Sequence, residues 1–373
     1  MDSRIVLPSS PDPRVSILIV TARQPRLLAR CLESLARCGS AVPFETIVLL
    51  NDALPEVEAL VRERVSGATV IASSVPLGLA GGSNRARAAA RGELLLLFHD
   101  DAEAEPGWLD ALVETMDAHP EAGAVGSRML NLDGSPQSQG NVLWSDGSAV
   151  SLGGLASLLP ASETTLAVDY CGSSSLLIRA AAWDAIGGAD ERFYPAYYVD
   201  VDLCLGVWTL GQAVLCTPAS RVRHVKSAST EPRFRGLLFR RNQALLREKW
   251  REALESFEPP APGSIEGLQR AVERARERWR KTRKTAPAGF SVSTPAPPPF
   301  DPAVQERRIL EIALDLQREW AAELSAENAV LRGQADLLAR IERTWWWRQY
   351  DRLLPLFRLL RRLSRRAEPS RTE

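Results

Sequence analysis

Gly92-Glu-Leu-Leu-Leu-Leu-Phe-His-Asp-Asp-Ala-Glu-Ala-Glu-Pro-Gly-Trp108 is the stretch on which the reading of this chain turns. Leu94 to Phe98 form an unbroken apolar run of strand length, the pattern of a parallel strand covered on both faces. The run stops at His99, Asp100 and Asp101, at the carboxyl end of that strand. In open α/β sheets that edge is where ligands bind. Pro106 and the apolar positions Trp108, Leu109, Leu112 and Val113 then open a helix. Carboxylates clustered on a short loop suit a hard divalent cation carrying a diphosphate. A polar β–α turn with a capping aspartate is the plainer alternative.

Outward from this stretch, residues 15–127 alternate short β-branched or Leu-rich runs with helical periodicity. Strands are expected at 15–20, 44–50, 69–72, 93–98 and 123–127, with helices at 24–38, 56–65, 81–91 and 108–118. Such alternation predicts a doubly wound, mainly parallel sheet. Residues 128–170 are rich in Gly, Ser and Asn and read as loops with short antiparallel strands. A strand at 174–179 and a helix at 181–186 follow.

Two further segments carry chemistry. In Tyr197-Tyr-Val-Asp-Val-Asp-Leu-Cys-Leu205, Asp200 and Asp202 stand two apart among apolar and aromatic residues. With Asp202 beginning a helix, Asp200 would project from the preceding loop. A carboxylate among aromatics has its pKa raised and can act as a general base; a pair of capping aspartates is the alternative. In Arg221-Val-Arg-His-Val225, His224 ends a short strand. The chain has only 3 histidines, and His99 and His224 are both expected to end strands of one sheet. His119, before Pro120, reads as an ordinary surface residue.

Together these segments resemble the bacterial family 2 glycosyltransferases of GT-A fold over roughly residues 13–255. Val15-Ser-Ile-Leu-Ile-Val-Thr21 is similar to the family's opening strand, and Ile47-Val-Leu-Leu-Asn-Asp-Ala53 to its second. Leu77-Gly-Leu-Ala-Gly-Gly-Ser-Asn-Arg85 resembles its glycine-rich loop. His99-Asp-Asp101 stands in the place of its Asp-x-Asp motif. Gly188-Ala-Asp-Glu-Arg-Phe193 and Asp200-Val-Asp-Leu-Cys204 resemble its acceptor-side block, and His224 with Arg241-Asn242 through Trp250 its closing segments. Each motif alone is weak; their order and spacing carry the resemblance. Here His99 replaces the usual first aspartate, a nitrogen ligand that suits Mn2+ better than Mg2+, and Val199 replaces the usual Glu before the base.

The resemblance implies a GT-A sheet with a smaller antiparallel acceptor-side part, and inverting transfer from a nucleotide-diphosphate sugar. Asp200 would be the catalytic base. Thr21, Asn51, Asp52, Gly78, Gly82, Asn84 and Asp100 would bind the donor. Asp101, His99 and His224 would hold a divalent metal, Mn2+ or Mg2+. Arg85 reads equally as a phosphate partner or a solvated helix residue. A nucleotide-sugar-binding scaffold and a sugar nucleotidyltransferase are the competing readings. The second lacks the glycine-rich loop expected after the first strand.

Composition bounds the rest. Lys+Arg and Asp+Glu balance at 46 each, so no polyanionic partner is indicated and nucleic acid is excluded as the main one. The 5 cysteines show no CxxC spacing, as expected of reduced thiols in a cytoplasmic protein. Residues 1–13 read as a disordered start without signal-peptide character, and 14–256 as the transferase domain. A basic helix and Pro-rich linker follow at 257–302, then a helical, near-heptad segment at 303–342 that predicts a coiled coil and an oligomer.

From Arg343 to Arg366 there are 8 arginines against 1 acid, opposite Trp345, Trp346, Trp347, Leu353, Phe357 and Leu360. An amphipathic helix over 343–373 of this kind suits the inner face of a membrane, and with it a lipid-linked saccharide acceptor. Docking on a protein surface is the alternative for that helix.

Overall fold

The computed structural model describes residues 4–154, 157–225, 231–285 and 302–342. The expected Pro-rich linker at 286–301 and the basic amphipathic helix from residue 343 onward lie outside the described residues. The chain divides into two units, residues 1–313 and 314–373.

The first unit is built on a ten-stranded sheet. Its donor-side half comprises β1 (Val15–Thr21), β2 (Phe44–Asn51), β3 (Ala68–Ser73) and β4 (Leu94–Phe98), in the order β3-β2-β1-β4 and all parallel. All five residues of β4 are buried, as its apolar run predicts. Each such leucine contributes about 1.5–3 kcal/mol by leaving water.

The other half holds β5 (Ala102–Ala104), β6 (Ala122–Leu130), β7 (Pro136–Ser138), β8 (Leu166–Ala167), β9 (Ser175–Arg179) and β10 (Ala213–His224). Here β9 inserts antiparallel between β4 and β6, while β10 runs parallel to β6. The sheet is thus mixed: a parallel core with antiparallel strands on the acceptor side, as the sequence predicts.

Helix α1 (Pro25–Arg37) begins at a proline, whose fixed φ and missing N–H suit a first turn. It buries Leu28, Cys31, Leu32 and Leu35 on one face. Helix α2 (Gly78–Arg87) starts and stops earlier than the 81–91 expected from its alanines. The left-handed φ of +67° at Gly78 lets the helix begin there, and Ala88 to Ala90 turn out of it. Helix α3 (Trp108–Ala118) follows Gly107, whose φ is +76°. A short α4 (Ala180–Ala185) leads to α5 (Val199–Thr209), which is buried nearly all round. The expectation that this helix starts at Asp202 is corrected: it starts at Val199, so Asp200 sits in its first turn and not in the preceding loop.

Helices α6 (Pro232–Lys249) and α7 (Ile265–Thr285) close the unit. The basic helix of the sequence is α7, and its inner face is not solvated. Leu268, Ala271 and Ala275 are fully buried. Arg274 reaches Asp169 at 2.5 Å and lies 4.0 Å over the Phe257 ring, while Arg278 lies 4.8 Å over Trp208. Trp279 Nε1 donates to Glu121 at 2.8 Å.

Helix α8 (Pro302–Glu342) starts in the first unit. There Ile309 is buried against Leu49 and Leu77. Over 314–342, Leu314, Leu331 and Leu338 are exposed. Among the described residues no helix is long and apolar enough to cross a membrane. All five cysteines are free and buried.

Candidate active site

The site forms where the turn that follows β4 meets the end of β10. After β4 the chain turns through His99, Asp100 and Asp101 into β5, which pairs antiparallel with the end of β10 and sets Ala102 opposite His224. Val225 N donates to the Asp101 carbonyl at 3.2 Å. Sheet register therefore brings together residues more than 120 positions apart. Candidate ligand atoms of His99, Asp101 and His224 all lie within 4.8 Å of one another. His224 Nε2 stands 3.3 Å and His99 Nδ1 3.9 Å from Asp101 Oδ1.

The electrostatics suit a cation. Burial lowers the His99 pKa to about 4, so the imidazole is neutral and one ring nitrogen keeps a lone pair with which to ligate. Burial alone would raise the Asp101 carboxyl, but the adjacent His224 and His99 bring it below its ordinary value. Asp101 Oδ1 is buried without a hydrogen-bond partner. A buried carboxylate oxygen left unpaired costs free energy unless a cation reaches it. Two imidazoles and this oxygen are a borderline donor set that fits Mn2+.

Asp100 points elsewhere: it accepts from Thr21 Oγ1 at 2.7 Å, and burial raises its pKa to about 6. Thr21 and Asp100 are thereby brought together at the ends of β1 and β4. Asn51, at the end of β2, accepts from Leu77 N at 2.6 Å and so ties β2 to the start of α2. Asp52 adopts a left-handed φ of +48° and faces Arg23 at 3.7 Å.

The glycines divide by cause. A Cβ on Gly78 would come within 2.7 Å of the Pro195 carbonyl. On Gly82 it would meet Leu49 and Val20 at 2.7 and 2.8 Å, a requirement of packing α2 on the sheet. Asn84 bonds the backbone of Ala189 in both directions, at 2.9 Å each way. Arg85 pairs with Glu306 at 2.5 Å and is largely enclosed, which corrects its reading as a solvated helix residue.

Asp200 lies at the start of α5. Its carboxylate accepts from Ser173 N at 3.2 Å and Val201 N at 3.0 Å. Burial raises its pKa, and these backbone bonds only partly offset that. An aspartate acting as base must be ionised, so activity is lost as pH falls through this raised pKa. The acid limb of kcat/KM is accordingly expected above the ordinary carboxylate range near 3.9. A limb at or below that range, measured over a pH series, would contradict the assignment.

Asp202 is buried and bonded to Lys249 at 2.9 Å and Trp250 Nε1 at 2.8 Å, so it anchors α6. The segment before Asp200 is held in an unusual shape. Tyr197 and Tyr198 have φ of +72° and +66°. Asn242, on α6, donates to the carbonyls of Ala196 and Tyr197 at 2.9 and 3.1 Å.

Sequence reading missed Ser173 and Ser174. The Ser173 hydroxyl lies 3.0 Å from His99 Nε2, and that of Ser174 is 3.2 Å from both His99 Nδ1 and His224 Nε2. Gln137, 2.9 Å from His224 Nδ1, was also missed. A Gly172-Ser-Ser-Ser run just before a strand was the only available sign, and it reads as an ordinary turn.

Residues 16–185 match the family described as Glycosyl transferase family 2. That match covers 170 of the 373 residues. Among curated relatives, the O-antigen biosynthesis protein RfbC of Myxococcus xanthus is 32% identical over 235 residues, 61% of this chain and 18% of the relative. The N-acetylglucosaminyl-diphospho-decaprenol L-rhamnosyltransferase of Mycobacterium tuberculosis is 29% identical over 152 residues, 36% of this chain and 48% of the relative. The chain thus spans less than half the length of these relatives.

The crystal structure of GalNAc-T7 with UDP, GalNAc and Mn2+ superposes with a TM-score of 0.51 at 15% identity, over 70% of this chain and 55% of that one. At that identity the likeness concerns the fold, which is GT-A.

Proposed function

We propose that this chain is an inverting, metal-dependent glycosyltransferase. It would move a sugar from a nucleotide-diphosphate donor to a lipid-linked saccharide in cell-surface polysaccharide assembly. The observation that carries the reading is the place of Ser173. Its hydroxyl contacts His99 of the cation cluster and its N–H contacts Asp200. The cluster and the buried carboxylate therefore flank one short segment, as transfer between a diphosphate and a hydroxyl requires.

His99, Asp101 and His224 would hold the cation. When bound, it would supply charge neutralisation on the diphosphate leaving group. Asp200 would orient the acceptor hydroxyl and take its proton as the oxygen bonds the anomeric carbon and the bond to the diphosphate breaks. Attack from the face opposite the leaving group gives inversion. Asn51, Asp52 and Thr21, at the ends of β2 and β1, would meet the nucleotide.

The names of the relatives support the pathway and the acceptor class: one belongs to O-antigen biosynthesis, and another acts on a decaprenol-linked saccharide. The arginine- and tryptophan-rich sequence after residue 343 supports a place at an anionic membrane surface. The near-heptad apolar positions of α8 support self-association.

The test offers purified protein a panel of UDP-, dTDP- and GDP-sugars with Mn2+ or Mg2+, with lipid-linked acceptors, and records nucleotide diphosphate release. Release from one donor that is abolished by EDTA and by Asp101→Ala is the expected result. Donor binding without turnover across the panel would overturn the enzyme reading in favour of a nucleotide-sugar-binding scaffold.

A further inference from the structure

A chain of hydrogen bonds runs from an exposed loop into the cation cluster, and it fixes a proton on one nitrogen of His224. It starts at Asp133, whose carboxylate can only accept. The Ser135 hydroxyl donates to Asp133 Oδ1 at 2.6 Å, so Ser135 Oγ is left to accept from Asn131 Nδ2 at 2.9 Å. That orients the Asn131 amide, and Asn131 Oδ1 accepts from Gln137 Nε2 at 3.0 Å. The same Gln137 Nε2 donates to the backbone carbonyl of His224 at 3.1 Å, an acceptor whose identity does not depend on how any amide is turned. Gln137 Oε1 therefore faces His224 Nδ1, at 2.9 Å.

An acceptor at that distance requires a proton on Nδ1. With the opposite tautomer, a lone pair would face Oε1. Turning the amide to relieve this would set Oε1 against the His224 carbonyl. In the neutral ring the nitrogen without a proton is then Nε2, 3.3 Å from the buried Asp101 Oδ1. The Ser174 hydroxyl also approaches Nε2, at 3.2 Å. Two acceptors thus face each other across a gap that a cation would fill.

We propose that Gln137 is a positioning residue that holds His224 as the Nδ1–H tautomer, presenting Nε2 with Asp101 to a divalent cation. The ligand role of His224 rests on the metal reading above; the hold on the tautomer does not. A histidine that ligates through one nitrogen is commonly fixed by a bond to the other, and loss of that bond weakens metal affinity.

The test uses the full chain labelled with 15N-histidine. With only 3 histidines, long-range 1H–15N correlation resolves each ring, and His119→Gln and His99→Gln assign the signals. At mildly alkaline pH, where an ordinary imidazole is neutral, metal-free protein is expected to show His224 as Nδ1–H. Mn2+ titration in the presence of UDP, followed by electron paramagnetic resonance, provides the second readout. Gln137→Leu is expected to release the tautomer preference and weaken Mn2+ binding by about 10–100-fold. Gln137→Glu, which keeps an acceptor facing Nδ1, retains the tautomer; a purely structural role would group both variants together.

The Nε2–H tautomer in the parent chain overturns the proposal whatever the variants do. So does a Gln137→Leu protein with unchanged tautomer and unchanged Mn2+ affinity. The expected tautomer in a parent chain that binds no Mn2+ supports the hold of Gln137 on the ring and overturns the metal reading alone.

Discussion

Replacing Asp200 with asparagine is expected to lower kcat by about two to four orders of magnitude, the usual range for a positioned general base. The amide has the shape of the carboxylate but a single oxygen, and Ser173 N and Val201 N approach different oxygens of Asp200, so the variant keeps at most one of these hydrogen bonds. What it loses is the capacity to take a proton. Affinity for UDP with Mn2+ should be unchanged, because the cation cluster stands on β4 and β10 and not on α5.

Two effects on stability oppose each other: one hydrogen bond at the start of α5 is lost, and a buried charge is removed. Burial holds the folded-state pKa of Asp200 above its unfolded value. For an acid shifted in that direction, stability declines as pH rises from the unfolded value through the folded one. Wherever the folded chain holds Asp200 ionised, that carboxylate is desolvated, and the amide removes this penalty while giving up one backbone hydrogen bond. Steady-state transfer assays with the donor found by the panel, together with thermal melts of both proteins, check the two halves. A kcat within twofold of the parent would remove Asp200 from the chemistry. Asp202→Asn should weaken the fold, because Lys249 loses its charged partner and one amide oxygen cannot serve both Lys249 and Trp250.

The largest expected effect on stability comes from Arg274→Ala. Arg274 joins α7 to the sheet side of the unit: its guanidinium contacts Asp169, Glu258 and the Leu143 carbonyl, and stacks on Phe257. Asp169 is fully buried. Removing the arginine would leave that carboxylate facing Arg278 at 3.8 Å. Breaking a buried pair from one side costs about 3–5 kcal/mol, since the remaining charge stays desolvated. A lower denaturation midpoint is expected, with kcat per folded molecule unchanged, because the pair lies outside the residues that touch donor or acceptor. A midpoint within experimental error of the parent would show that α7 is not anchored there.

That anchor also marks a limit of sequence reading. In the sequence, residues 265–284 are a run rich in arginine, and such a run ordinarily faces water. What draws Arg274 and Arg278 inward is Asp169, a residue about a hundred positions earlier in a stretch that reads as loop. No local pattern links the two. The start of α5 was misplaced for a related reason. The left-handed pair Tyr197 and Tyr198 ends the preceding segment three residues before the position expected, and it is Asn242 on α6 that holds their backbone.

By itself, the sequence determined the strand–helix alternation, the buried β4 and the polar cluster at its carboxyl end. It also marked His224 as the second strand-ending histidine. These are local consequences of hydrophobic period and of where an apolar run stops, so a single pass along the chain can read them. Only the tertiary structure decided which polar residues stand together. The register of β5 against β10 sets Asp101 beside His224, the insertion of β9 brings Ser173 between His99 and Asp200 and Ser174 between the two histidines, and the loop around β7 delivers Gln137 to the far side of the imidazole. Hydrogen bonds and ligand distances depend on ångström-scale placement, and that placement comes from strand pairing between segments remote in sequence.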